Sequence, residues 1–153
     1  SVIVMNICAK VIHLFNQAGI TDGVEVAKKL RDEIRNAIRE HLIDKKTMTV
    51  LGDCQTSQAV ALSYGVFNED ELPMAQAKLI EIIHRDGDVN ACGKVGVREI
   101  FHVLTKMGEV DLAVKVIKSE HPHCYGYWVK NGGDTMWESF KNMKKTHIHR
   151  WLI

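Results

Sequence analysis

Apolar residues recur at three- and four-residue intervals along most of this chain, the period of helices that bury one face. In residues 3–18, Ile7, Val11, Leu14, Phe15 and Ala18 hold that spacing, and Gly19 closes the run. Thr21 or Asp22 is placed to cap a second helix, where Val26, Leu30, Ile34, Ala37, Ile38 and Leu42 form one stripe. Lys28, Lys29, Arg31, Asp32, Glu33, Arg35 and Arg39 cover its other side and read as a solvated face. Residues 45–52 read as a turn or irregular stretch. A third helix is expected over 56–64, ending at Gly65. Asn68 to Glu71 then make an acidic helix start, and Pro73 suits the first turn. Leu72, Ala75, Leu79, Ile82 and Ile83 form the buried side of that fourth helix. After a loop at 86–93, a fifth helix over 97–106 turns Val97, Ile100, Phe101 and Leu104 inward. Gly108 ends it, and a short sixth helix covers 111–118. Residues 121–133 read as an aromatic-rich loop, 136–142 as a helical turn or more, and 146–153 as too short to assign.

A weak repeat runs through these elements. A helix ends on a glycine, a few residues with an acid intervene, and a second helix follows. The closing glycines Gly19, Gly65 and Gly108 stand roughly 45 residues apart, so three αα-hairpins follow in series. A hairpin cannot bury its apolar face alone, so neighbours must stack, into an open solenoid or a closed toroid. The connections after the second, fourth and sixth helices are the longer ones. They carry Asp53, Gln55, Asp88, Asn90, Tyr125, Tyr127, Trp128, Trp137 and Glu138, and they should gather at one end of the bundle. Polar and aromatic groups converging at one mouth favour a carbohydrate pocket over a scaffold.

Composition narrows the class. The 153 residues make one domain, 1–153, with 46% hydrophobic and 25% charged residues, ordinary for a globular protein. A net charge of +1 gives no electrostatic reason to expect nucleic acid or an anionic membrane as partner. No apolar run reaches membrane-spanning length. Cys8, Cys54, Cys92 and Cys124 stand far apart and read as reduced, buried thiols of a cytoplasmic protein. The first residue is not Met, so a longer parent with its own leader stays open. His121-Pro122-His123-Cys124 matches no zinc spacing, and neither a metal nor another cofactor is expected.

The chemistry concentrates in Asn131-Gly132-Gly133-Asp134-Thr135-Met136-Trp137-Glu138-Ser139-Phe140. Two glycines allow a tight turn, and Asp134 and Thr135 offer oxygens to a helix start. Trp137 and Glu138 then put a carboxylate beside a large aromatic face. Such a ring stacks on the C–H face of a sugar, and partial burial tunes a carboxylate for acid or base work. The plainer reading of the same residues is a capped helix with a core Trp and a solvated Glu.

Several segments taken in order resemble the catalytic domain of bacterial α-L-rhamnosidases, glycoside hydrolase family 78. They are Gln55-Thr56-x-x-Ala59-x-Ala61-Leu62-x-x-Gly65, Cys92-Gly93-x-Val95-Gly96 and Ile100-Phe101-His102-Val103-Leu104. Gly108-x-x-Asp111-Leu112-Ala113, Pro122-x-x-Tyr125-Gly126-x-Trp128 and Thr135-Met136-Trp137-Glu138 follow, so that about two-thirds of the chain is covered. The resemblance implies an all-α fold in which three or more αα-hairpins form about half of an (α/α)6 toroid. It also implies inverting hydrolysis of terminal α-linked L-rhamnose, with a rhamnose-containing glycoside or oligosaccharide as substrate.

In that reading Glu138 stands where the family's general base stands, Trp137, Tyr125 and Trp128 line the sugar pocket, and His149 lies near a substrate-reaching histidine. The family's acidic cluster, which holds the general acid, has no counterpart in this chain. The chain is therefore expected to be a fragment carrying the base without the acid, inactive alone. It is also expected to self-associate through the open face of an incomplete toroid. Two rivals remain. A tetratricopeptide-like interaction module without catalysis would repeat at about 34 residues with recurring aromatic positions. A different toroid glycosidase or sugar isomerase would keep Glu138 and change the sugar.

Overall fold

The computed structural model describes residues 1–133. The described residues form seven helices and one short ribbon: α1 (Val2–Gln17), α2 (Val24–His41), β1 (Ile43–Asp44), β2 (Thr49–Val50), α3 (Gln55–Ser63), α4 (Leu72–Arg85), α5 (Lys94–Met107), α6 (Val110–Lys118) and α7 (Tyr125–Lys130). Helices α1 and α2, α3 and α4, and α5 and α6 pack as successive αα-hairpins, and α3 lies along α5. The closing glycines behave as the spacing requires: Gly19, Gly65 and Gly108 take φ of 68°, 72° and 84°.

Helix α3 is the shared wall of two cores. On one side Ala59 belongs to a cluster with Leu79, Ile83, Val97, Ile100, Leu104, Leu112 and Val116 from α4, α5 and α6. On the other, Ala61 joins Met5, Ile38, Val50, Val66, Phe67 and Ala75. Burying an aliphatic side chain of this size is worth about 1.5–3 kcal/mol, so the α3–α6 cluster carries much of the fold. Gly96 explains how closely α3 and α5 approach. A Cβ there would lie 2.6 Å from Thr56 Oγ1 and 3.0 Å from Cys92 Sγ.

Several expectations need correction. On α1 the buried residues are Met5, Cys8 and Ile12, while Ile7 and Leu14 are 52% and 63% exposed. On α2, Val24 and Ile38 are buried, but Val26 and Leu30 face outward. Both helices carry apolar residues on two sides, and periodicity alone does not say which side meets the core.

Arg35 and Arg39 are not part of a merely solvated face. Arg35 donates to Gly65 O at 2.9 Å and Phe67 O at 3.1 Å, and Arg39 forms a two-pronged pair with Glu71 at 2.6 and 2.7 Å. The arginines lock the α3–α4 connection from across the hairpin, and Arg39 holds the Glu71 carboxyl down at about 2.

Residues 43–50 form an antiparallel ribbon with Ile43 opposite Val50 and Asp44 opposite Thr49, and the turn expected over 45–52 is its connection at 45–48 and its exit at 51–52. Within the expected loop at 121–133, Tyr125–Lys130 is helical, started by an extended Cys124. Burial of Trp128 overrides the weak helix propensity of aromatic residues and glycine. Cys8, Cys92 and Cys124 are buried free thiols, but Cys54 is exposed.

Candidate functional site

The connections before α3, α5 and α7 gather at one end of the stack, as their lengths implied. They do so by binding one another. Gln55, with no exposed surface, opens α3. Its Nε2 donates to Asp86 Oδ2 at 2.9 Å and Val89 O at 3.0 Å, and its Oε1 accepts from Ala91 N at 3.1 Å. Asn90, 1% exposed, performs the same task one connection later. Its backbone N–H points at Cys124 Sγ at 3.3 Å, its Nδ2 donates to His123 O at 3.2 Å, and its Oδ1 accepts from Cys92 N at 3.2 Å. Gln55 thus ties α3 to the α5 entry, and Asn90 ties the α5 entry to the α7 entry.

The two aspartates at this mouth sit in the left-handed region, Asp53 at φ 38° and Asp88 at φ 57°. Aspartate tolerates that conformation better than most residues, and here cations hold it. Arg85, from the last turn of α4, reaches Asp53 Oδ2 at 2.5 Å and Asp53 O at 2.7 Å. Lys115 of α6 and His84 of α4 both contact Asp88 at 2.5 Å. Lys115 first, then His84, holds the Asp88 carboxyl below its ordinary value. Arg85 and Lys115 were missed from the sequence. Their partners are 32 and 27 residues away, and a lone cation in a last helical turn reads as a dipole partner.

Of the expected sugar-binding residues, the described structure places two. Tyr125 and Trp128 meet edge to face on α7, with ring centroids 5.0 Å apart at 84°. Trp128 is 5% exposed. Tyr125 packs on Phe101 at 6.2 Å, and burial pushes its phenol up. Tyr125 also lines a groove of about 510 Å³ with Ile117, Lys118, Glu120, Gly126, Val129 and Lys130. Gly126 is where the backbone of α7 passes the end of α6. A Cβ there would stand 2.2 Å from Lys118 O. Trp137, Glu138 and His149 lie outside the described residues, as does the helical turn expected over 136–142.

A buried carboxylate lies between α3 and α5. Glu99, 6% exposed, accepts from Ser63 Oγ and from Tyr64 Oη, the latter at 3.1 Å. The sequence marks it only as a polar residue beside the apolar positions of α5. Among the described residues no three His, Cys, Asp or Glu side chains are grouped to hold a metal ion.

Successive αα-hairpins whose polar entries collect at one end define a helical-hairpin domain with a potential site at that mouth. The chain belongs to the bacterial alpha-L-rhamnosidase 6 hairpin glycosidase domain family, whose model matches residues 4–151. Curated relatives include an alpha-L-rhamnosidase of Alteromonas sp. (strain LOR), 26% identical over 127 residues, which are 82% of this chain and 14% of that protein. Another is the alpha-L-rhamnosidase of Formosa agariphila, 29% identical over 91 residues, 60% of this chain and 10% of that one. The chain therefore spans a small part of these relatives.

Among solved structures, the Streptomyces avermitilis alpha-L-rhamnosidase complexed with L-rhamnose superposes with a TM-score of 0.84 at 21% identity. That match covers 91% of this chain and 13% of the other. The Aspergillus terreus enzyme gives 0.84 at 18% identity, covering 92% and 16%. The three hairpins are about half of an (α/α)6 toroid, which settles the choice between solenoid and toroid.

Proposed function

We propose that this chain supplies part of the catalytic domain of an enzyme that releases terminal α-linked L-rhamnose from glycosides with inversion. The match of residues 4–151 to the rhamnosidase hairpin domain carries this reading. Glu138 acts as general base. It takes a proton from water, which attacks the anomeric carbon on the face opposite the leaving oxygen. A carboxylic acid from outside this chain protonates that oxygen, across the gap of about 6.5–9.5 Å that inverting enzymes leave for the water. Tyr125 and Trp137 shape the sugar pocket by stacking, the buried Trp128 backs Tyr125 edge to face instead of meeting the sugar, and His149 reaches a sugar hydroxyl.

On this reading residues 1–153 alone are inactive, since a missing general acid costs about 10²–10⁴ in rate before any loss of pocket. The test uses p-nitrophenyl α-L-rhamnoside with two proteins, this chain and the longer protein that contains it. The chain should give no turnover above buffer, and turnover like that of intact relatives would overturn the missing acid. In the longer protein, Glu138→Gln should lower kcat by about 10²–10⁴ with KM little changed. An unchanged kcat would remove Glu138 from its role.

A further inference from the structure

A groove of about 410 Å³ runs along the ribbon, next to the mouth. Its volume falls in the range of about 300–1,000 Å³ that small-molecule sites occupy. The ribbon and its exit at 47–53 form one wall, the end of α2 at His41 a second, and Lys78 of α4 a third. These walls come from the successive hairpins α1–α2 and α3–α4 and the connection between them. Hairpins added at either end of the series stack outside α1–α2 or α5–α6, so this groove is not a face that ring closure covers.

The ribbon wall is preformed. Met48 and Asp53 hold left-handed φ of 52° and 38°, uncommon for residues with side chains. Gln58 fixes the Met48 carbonyl and the Val50 amide at 2.9 Å, and Arg85 fixes Asp53. Strained backbone held by its surroundings is found at ligand clamps, and a rigid wall needs no ordering when a ligand arrives.

The polar groups of the groove keep bonding capacity. Arg85 occupies Oδ2 of Asp53 and leaves Oδ1 with Lys78 Nζ, 3.6 Å away. The Lys78 side chain is 16% exposed, and its ammonium has three donors for two carboxylates, Asp53 and, at 2.8 Å, Glu81. Oδ1 and Nζ thus set an acceptor beside a donor, the pattern that two adjacent hydroxyls of a sugar ring complement. Thr49 Oγ1, paired with Thr47 Oγ1 at 2.8 Å, adds a hydroxyl on the ribbon wall. Leu51, 71% exposed, gives a surface for C–H groups. No described Phe, Tyr or Trp lines the groove, so it suits a hydroxyl-rich ring better than a flat aromatic one.

We propose that this groove holds the sugar to which the rhamnose is attached, Asp53 Oδ1 accepting from one hydroxyl and Lys78 Nζ donating to its neighbour. Asp53 is both lip of the mouth and wall of the groove, so a glycoside cleaved in the mouth lays its leaving sugar across that lip. This assignment rests on the rhamnosidase reading.

Two measurements test it, with rhamnose α-linked to the primary hydroxyl of glucose as probe. The first is amide NMR on this chain alone. Titration should shift residues 47–53 and Lys78, and Lys78→Met should raise the apparent Kd about 10-fold while its other resonances report an intact fold. The second compares kcat/KM of the longer protein on this disaccharide and on p-nitrophenyl α-L-rhamnoside, which has no leaving sugar. Lys78→Met should lower the disaccharide-to-aryl ratio about 10-fold, and Thr49→Val about 3-fold. A ratio that neither variant moves overturns the proposal, as do shifts absent from 47–53 or confined to Tyr125–Lys130. If the longer protein cleaves neither substrate, the rhamnosidase reading fails. Shifts at 47–53 then still establish a saccharide site, and their absence removes it.

Discussion

Gln58 offers a sharp test of how the ribbon is attached to the hairpins. It has no exposed surface, and its amide makes three hydrogen bonds of 2.9 Å. Oε1 accepts from Val50 N in β2, and Nε2 donates to Met48 O in the ribbon turn and to Ala75 O in α4. Gln58→Ala removes all three and leaves one N–H and two carbonyls behind. An unpaired buried group costs about 1–3 kcal/mol. Met48 is partly exposed and its carbonyl recovers water, and Ala75 O keeps its acceptor role within α4, so the Val50 N–H dominates. The expected loss is about 2–3 kcal/mol, a large share of a stability of about 5–15 kcal/mol. At about 2–4 °C per kcal/mol, Tm should fall by about 5–10 °C.

Gln58→Glu keeps the shape and the acceptor but gives up both donations at neutral pH. It should be at least as unstable there, and should recover part of the loss in acid, where the protonated carboxyl donates once. Urea unfolding at pH 7 gives the magnitude, and hydrogen exchange at the Val50 amide gives the location. A loss below about 1 kcal/mol with Val50 protection unchanged would refute the argument.

Acid should weaken the α3–α4 connection. Glu71 is held at about 2 by its hydrogen bonds with Arg39, below its ordinary 4.5, so the unfolded chain binds protons more readily. Its contribution, about 1–2 kcal/mol, is complete above pH 4.5 and lost as pH falls toward 2. Urea midpoints across that range should flatten in Glu71→Gln, and an identical pH slope would count against the pair. Gly126→Ala should undock α7 or cost several kcal/mol, because the carbonyl of Lys118 is backbone and does not yield; a wild-type Tm excludes this. Asn90→Asp, isosteric but unable to donate to His123 O, should loosen the α7 entry while α3 keeps its exchange protection. Equal protection at Tyr125–Lys130 in both proteins would show that Asn90 does not hold α7.

Helices with one apolar side were legible. The stripes of α4 and α5 are buried at Leu79, Ile82, Ile83, Val97, Ile100 and Leu104, as their spacing implied. Helices α1 and α2 misled because each has two apolar rows, and only the neighbours decide which is core. Arg35 and Arg39 looked solvated because their partners, at positions 65–71, lie about 30 residues away, where a local charge pattern gives no sign. α7 looked like loop because tyrosine, tryptophan and glycine are poor helix formers, and burial outweighs that preference. At the site, the gathering of the three long connections was legible. The work of their polar residues was not, because a glutamine or asparagine reads the same whether it awaits a ligand or satisfies a backbone.

That difference bears on where the chemistry falls. Gln55 and Asn90 were grouped with the candidate sugar-contacting residues, yet their amides are occupied by the neighbouring entry, chiefly its backbone. Asp53 and Asp88 are gripped by Arg85 and by Lys115 with His84, and releasing either would expose a left-handed aspartate to relaxation. These residues fix the mouth. A fixed mouth is what a toroid site requires, since misplacing a reacting group by about 1 Å can cost 10²-fold. The entry of α7 is positioned by Asn90, which is linked through Cys92 N to the start of α5 and so to Gly96 and α3. On the rhamnosidase reading, the base at Glu138 follows α7 by eight residues. The relay of buried amides therefore fixes the entry of α7 relative to α5 and α3.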